Sequence, residues 1–180
     1  MNPAKDEALV VRYQPIGRVR SAYATPEGVP LQTAASPDQP VRVEIDAAYL
    51  DGLKDVEGFD HLWLFTHLHL ARTEPLEVTP FLDTRTHGVF ATRSPARPNR
   101  IGLSLVRLVR VDGATLHCLG NDLVDGTPVL DIKPYVPRFD VREAGRIGWF
   151  ADRLQHLEAA RADRRMTVDT GPDAGPHRAG

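Results

Sequence analysis

The sequence predicts a mainly β fold, a barrel or sandwich of about seven short strands joined by tight turns, with one short helix and one C-terminal helix. Three observations carry this. Short alternating or apolar runs recur along the chain, each bounded by Gly, Pro, Asn or Asp. The dipeptides Asp112-Gly113 and Asp125-Gly126 stand between such runs, where two-residue hairpins favour them. The runs are not spaced by the helices that build βαβ units. With 180 residues, 42% of them hydrophobic and 26% charged, the chain suits one soluble domain with a substantial core.

Taken in order, residues 1–8 are expected to be loose, and Val10–Val19 supplies a first strand. Val41-Arg42-Val43-Glu44-Ile45 alternates strictly, as a half-buried strand does. Asp46 to Leu53 reads as a short helix with Asp46 as its N-cap. Phe59 to Leu70 is apolar on both parities, like a strand covered on both faces. Val89–Thr92 is another predicted strand. Ile101 to Val111 and Ala114 to Leu119 flank Asp112-Gly113 as a hairpin, and Pro128–Ile132 follows Asp125-Gly126. From about Gly145 to Arg164, Ile147, Phe150, Leu154 and Leu157 recur at spacings of three, four and three. That is one apolar stripe on a charged helix, packed on the barrel or against a second subunit. From Thr167 the chain is rich in Gly, Pro and polar residues, as in a disordered tail. The expected organisation is therefore a flexible 1–8, a β domain over 9–140, a helix within 141–166 and a tail over 167–180.

Composition excludes several classes of function. No apolar run is long enough to span a bilayer, and MNPAKDEALV lacks the apolar stretch of a secretory signal, so the cytoplasm is the expected compartment and no membrane partner is expected. The single cysteine, Cys118, excludes an intramolecular disulfide and a cysteine-rich zinc site, and on a predicted strand it reads as core. Net charge is −2 and pI about 6.4, so nucleic acid would have to be met by a local patch. Only Lys5, Lys54 and Lys133 are lysines among 22 basic residues, so forked arginine donors dominate.

Three constellations can carry chemistry. Arg93, Arg97 and Arg100 sit in a loop stiffened by Pro95 and Pro98, suited to hold oxyanions, the alternative being an arginine-rich surface turn. Asp122, Asp125 and Asp131 lie within ten residues, with Lys133 on the strand face of Asp131. Such carboxylates accept hydrogen bonds from a ribose, an amine or an arginine, or they serve turn chemistry around Gly126 and a structural Asp131–Lys133 pair. A divalent cation would find no regular ligand register there. His61, His67 and His69 share parity, which puts them on one face. Only His67 and His69 are close enough to chelate together, and no glutamate-containing zinc motif accompanies them, so no metal is expected. There is no G-x-G-x-x-G after a strand, no Walker loop and no nucleophile elbow.

Ile16-Gly-Arg-Val-Arg-Ser21, Gly58-Phe-Asp-His-Leu-Trp63, Gly88-Val-Phe-Ala-Thr-Arg-Ser94, Arg97-Pro-Asn99, Ile101-Gly-Leu-Ser104 and the run from Asp122 to Tyr135 resemble the TsaA-like (TrmO) family. The likeness runs from about Tyr13 to Pro137. It implies a single-sheeted β-barrel methyltransferase, usually a homodimer, that uses S-adenosyl-L-methionine to methylate N6 of N6-threonylcarbamoyladenosine beside the tRNA anticodon. Position by position, it implies cofactor contacts at Pro30, Leu31, Gln32, His69, Leu70, Arg93, Leu103, Asp122, Leu123, Val124 and Asp125. Two positions depart from the family pattern: Leu31 stands where an arginine is expected, and Leu70 where a glutamine is. His69 is the candidate catalytic base, and Arg97, Arg100 and Lys133 are the candidate tRNA contacts. Longer members carry a further C-terminal domain, and the helix around Trp149 to Arg164 is the segment that stands in its place here. Two rival readings are a barrel methyltransferase acting on a small molecule and a non-catalytic cofactor- or RNA-binding module.

Overall fold

The computed structural model describes residues 10–163, and the expectations for residues 1–8 and 167–180 lie outside them. Six strands form one antiparallel sheet: β1 (Gly17–Arg20), β2 (Pro40–Ile45), β3 (His61–His67), β6 (Ile101–Asp112), β7 (Thr115–Leu119) and β8 (Pro128–Pro134). They are hydrogen-bonded in the order β1-β2-β7-β6-β3-β8, and β8 pairs back onto β1 to close a barrel. The remaining two, β4 (Glu77–Val78) and β5 (His87–Gly88), make a separate ribbon. The barrel thus has six strands rather than about seven.

Alternation builds its interior. Val41, Val43 and Ile45 of β2 point inward beside Val19, Leu62, Leu64, Val106, Leu116, Cys118 and Val129, all buried. Full burial of each such Val or Leu contributes roughly 1.5–3 kcal/mol. A small barrel of this kind is filled by its own side chains, so any ligand must sit outside it. Two close approaches fix glycines: a Cβ on Gly17 would lie 2.2 Å from the Glu44 carbonyl oxygen, and one on Gly102 would lie 2.4 Å from Thr66 Oγ1. The predicted hairpin is present as β6 and β7, but its turn is Gly113-Ala114 rather than Asp112-Gly113: Asp112 ends β6 and pairs with Thr115, and Gly113 takes φ +57°.

Four expectations are corrected. The first strand is confined to Gly17–Arg20: among the described residues the backbone pairing onto the sheet begins at Ile16, whose N–H donates to the Val129 carbonyl. Val89–Thr92 is not a strand but a 3-10 turn (Val89–Ala91), closed by the Thr92 hydroxyl and amide onto the Val89 carbonyl. The segment after Asp46 is a 3-10 helix, Ala47–Leu53, and the Asp46 side chain makes no capping bond. The expected C-terminal helix is replaced by two 3-10 turns, Gly148–Asp152 and Leu154–His156. Gly148 at φ +61° at the start, and Arg153 at φ −121°, ψ −21° between the two turns, interrupt a regular helix there. A single α-helical turn, α1 (Pro137–Asp140), follows β8.

Candidate cofactor and acceptor site

The connections on one side of the barrel enclose a cavity of about 660 Å³, within the range of small-molecule sites. Each wall has a local cause. After β7 the chain turns at Gly120 (φ +92°). Buried Asn121 then ties three segments: its amide donates to Ser21 Oγ, its side-chain oxygen accepts the Leu123 N–H, and its carbonyl accepts the Ser36 hydroxyl. This fixes Asp122, Leu123 and Val124 against the cavity. Opposite, Pro30, Leu31 and Gln32 precede a 3-10 turn at Thr33–Ala35. His69 and Leu70 lie in the turn after β3, and Leu103 lies on β6.

Asp122 is the central charged group. Ser104 Oγ donates to its carboxylate at 2.6 Å. Burial pushes the carboxyl up to about 7, although the Ser104 bond, backbone N–H groups including that of Thr33, and the Arg93 charge all oppose the shift. Arg93 follows the 3-10 turn and donates to Gln32 Oε1 at 2.5 Å, bridging two walls. His69 is held below its ordinary value, first by burial and then by His67 and Arg18, which favours the neutral imidazole that can accept a proton.

All of the expected cofactor contacts meet at this cavity except Asp125. Its carboxylate accepts the Ser21 N–H at 3.0 Å and lies 3.9 Å from Arg20, bracing the turn at Gly126 (φ +74°). Among the three candidate RNA contacts, Arg97 lines the cavity and donates to the Thr92 carbonyl. Arg100 is drawn inward, to the Ala71 carbonyl at 2.8 Å and Glu74 at 3.0 Å. Lys133 pairs with Asp131 at 2.7 Å on β8, as the structural reading of that pair expects. Cys118 is buried, and burial pushes its thiol up to about 12, which suits a core residue. No group of three His, Cys, Asp or Glu fit to hold a metal occurs among the described residues.

Sequence reasoning missed two contributors. Ser104 stands inside a quoted motif but gave no sign of its bond to Asp122. The apolar stripe Ile147, Phe150, Leu154 and Leu157 faces the cavity, together with Trp149. Its periodicity was visible, but its destination was not.

The N-terminal-domain model of tRNA-methyltransferase O matches residues 18–141. The chain belongs to this family. A Pyrococcus abyssi protein named a probable S-adenosyl-L-methionine-binding protein is 49% identical over 158 residues, covering 88% of this chain and 86% of the relative. A mouse tRNA (adenine(37)-N6)-methyltransferase is 36% identical over 138 residues, 71% of this chain but 31% of that protein. A crystal structure of TrmO from Pseudomonas aeruginosa superposes with a TM-score of 0.65 at 35% identity, over 78% of this chain and 63% of that one. The chain thus spans about a third of the mouse protein's length and under two thirds of the Pseudomonas aeruginosa chain.

Proposed function

We propose that this chain is an S-adenosyl-L-methionine-dependent methyltransferase whose acceptor is N6 of N6-threonylcarbamoyladenosine at position 37 of tRNA. The observation that carries it is the convergence of Pro30–Gln32, His69, Leu70, Arg93, Leu103 and Asp122–Val124 on one cavity. The donor set fits the cofactor: an apolar enclosure for the nucleoside, a carboxylate for a ribose or a cationic sulfur, and a guanidinium for an amino-acid carboxylate. When bound, the cofactor supplies a methyl group already activated by its sulfonium. The protein's work is then to align and to exclude water. Asp122 favours positive charge beside it, Arg93 holds an anion, and neutral His69 takes the proton that N6 must lose. Arg97 and Lys133 are the proposed tRNA contacts, with Arg97 the best placed because it borders the cavity, whereas Arg100 is engaged by the Ala71 carbonyl and Glu74. A homodimer in the cytoplasm completes the reading. No helix among the described residues is long and apolar enough to cross a membrane.

The apolar residues Leu31 and Leu70, both at the cavity, favour a second reading, in which the same chemistry serves a small acceptor. One experiment separates the two. Nucleosides from tRNA of a strain lacking the gene are compared with those of its parent by mass spectrometry. Loss of the N6-methyl nucleoside, restored by the gene, is the expected outcome. An unchanged nucleoside profile, with turnover of labelled cofactor on small acceptors, overturns the tRNA assignment.

A further inference from the structure

Residues 147–163 form a strap across the cavity, and all of it lies beyond the matched family domain. None of these residues is buried. The strap is pinned at three places. Ala162 exchanges backbone hydrogen bonds with Gly28 and Val29, beside a bridge between Pro30 and Arg161. The Trp149 indole N–H donates to the Ala91 carbonyl at 2.8 Å. Arg153 donates to Asp83 at 3.3 Å.

Asp83 is the anchor. Its side chain is fully buried, and it also gathers the Thr84 N–H at 2.7 Å and His87 Nε2 at 3.1 Å. The bond from His87, foremost, holds its carboxyl well below the usual range. His87 in turn stacks on Trp149, with centroids 4.7 Å apart and planes 19° apart. Trp149 stacks on Phe150 at 3.9 Å and 24°. Three nearly parallel rings thus run from a buried carboxylate to the cavity wall. Ile147 and Leu154, 44% and 46% exposed, border the same cavity. Near-parallel rings that end at an apolar cavity offer a flat face to one further planar ring.

We propose that Phe150 is a stacking platform for the purine ring of a nucleoside ligand, and that Asp83 is the positioning residue that sets it. The inference rests on the methyltransferase reading. Both cofactor and acceptor carry an adenine, and base–aromatic stacking tolerates either source. Asp83 acts through His87 and Arg153, which hold the strap at the angle that presents Phe150.

The test uses the full chain carrying Trp63→Phe, which leaves Trp149 as the one tryptophan, a fluorescent reporter beside the platform. Affinities for S-adenosylhomocysteine, and for an anticodon-loop oligonucleotide at saturating S-adenosylhomocysteine, are measured in this parent and in variants. Phe150→Ala weakens one of the two by roughly 5- to 150-fold, the loss of a single base stack. Phe150→Trp keeps the affinity of the parent. A loss confined to S-adenosylhomocysteine assigns the ring to the cofactor, and a loss confined to the oligonucleotide assigns it to the acceptor. Asp83→Asn lowers the same affinity by a smaller factor and shifts ligand-free Trp149 emission to the red, which a role in barrel stability alone would not do. If the parent binds and Phe150→Ala binds both ligands equally well, the platform is wrong while the methyltransferase reading stands. If the parent binds neither, both fall.

Discussion

Asp122 makes the stability of the ligand-free protein depend on pH in a direction opposite to that of an ordinary paired carboxylate. Burial moves its carboxyl from 3.8 to about 7. Between those values the folded chain holds a proton that the unfolded chain has lost, so stability falls as pH rises. Three pH units at about 1.4 kcal/mol each set an upper bound of about 4 kcal/mol on the loss between pH ~4 and ~7. The carboxyl is only partly buried and borders an open cavity, which reduces this further. Asp122→Asn keeps an acceptor for Ser104 and cannot ionise. In a chain of this size about 1 kcal/mol moves Tm by roughly 2–4 °C, so wild-type Tm should drop several degrees more than the variant's between pH ~5 and ~8. Every other titrating group is common to both proteins and cancels in the difference. Thermal unfolding of both, metal- and ligand-free, at four pH values is the assay. Parallel curves would refute the burial argument.

Two further outcomes follow from the geometry. Gly102→Ala drives a methyl group to 2.4 Å from Thr66 Oγ1 and 2.9 Å from Leu68 Cδ2. Overpacking of this kind costs about 1–3 kcal/mol, and denaturant unfolding should show it as a lower midpoint at unchanged slope. Arg97→Ala should weaken tRNA binding and flatten its salt dependence by about one counterion, whereas Arg100→Ala should chiefly lower Tm, because it leaves the Ala71 carbonyl and Glu74 without their donor. Binding titrations at two salt concentrations, beside melting curves, check the pair, and an equal salt effect for both would contradict the inward placement of Arg100.

What was legible in the sequence is what local periodicity decides. Val41–Ile45 alternates with nothing to contradict it, and the hairpin at Asp112-Gly113 forms one residue further on, because Asp112 pairs with Thr115 and leaves Gly113-Ala114 as the turn. Val89–Thr92 was not legible, because apolar and β-branched residues suit a strand and a tight turn with one buried residue alike. The choice was made by a hydrogen bond from the Thr92 hydroxyl, which no propensity contains. The C-terminal stripe was ambiguous for a related reason. Spacings of three, four and three mark one face of an α-helix, yet successive 3-10 turns carry the same residues to one side, and the backbone angles at Gly148 and Arg153 that make the difference leave no trace in that spacing.

The site divides in the same way. Asp122 and Asp125 are of one type, three residues apart, in one family-like motif, so residue type cannot rank them. Their separation comes from backbone partners. Asn121 turns Asp122 toward the cavity, whereas Asp125 donates its own N–H to the Tyr23 carbonyl and accepts the Ser21 N–H. The arginine loop shows the same logic with the opposite result. Pro95 and Pro98 do stiffen it, but Arg100 at φ +47° reverses the chain and sends its guanidinium back to the Ala71 carbonyl. A sequence identifies which side chains have the chemistry for a site. Which of them is left facing the ligand depends on where the neighbouring backbone groups find their hydrogen bonds.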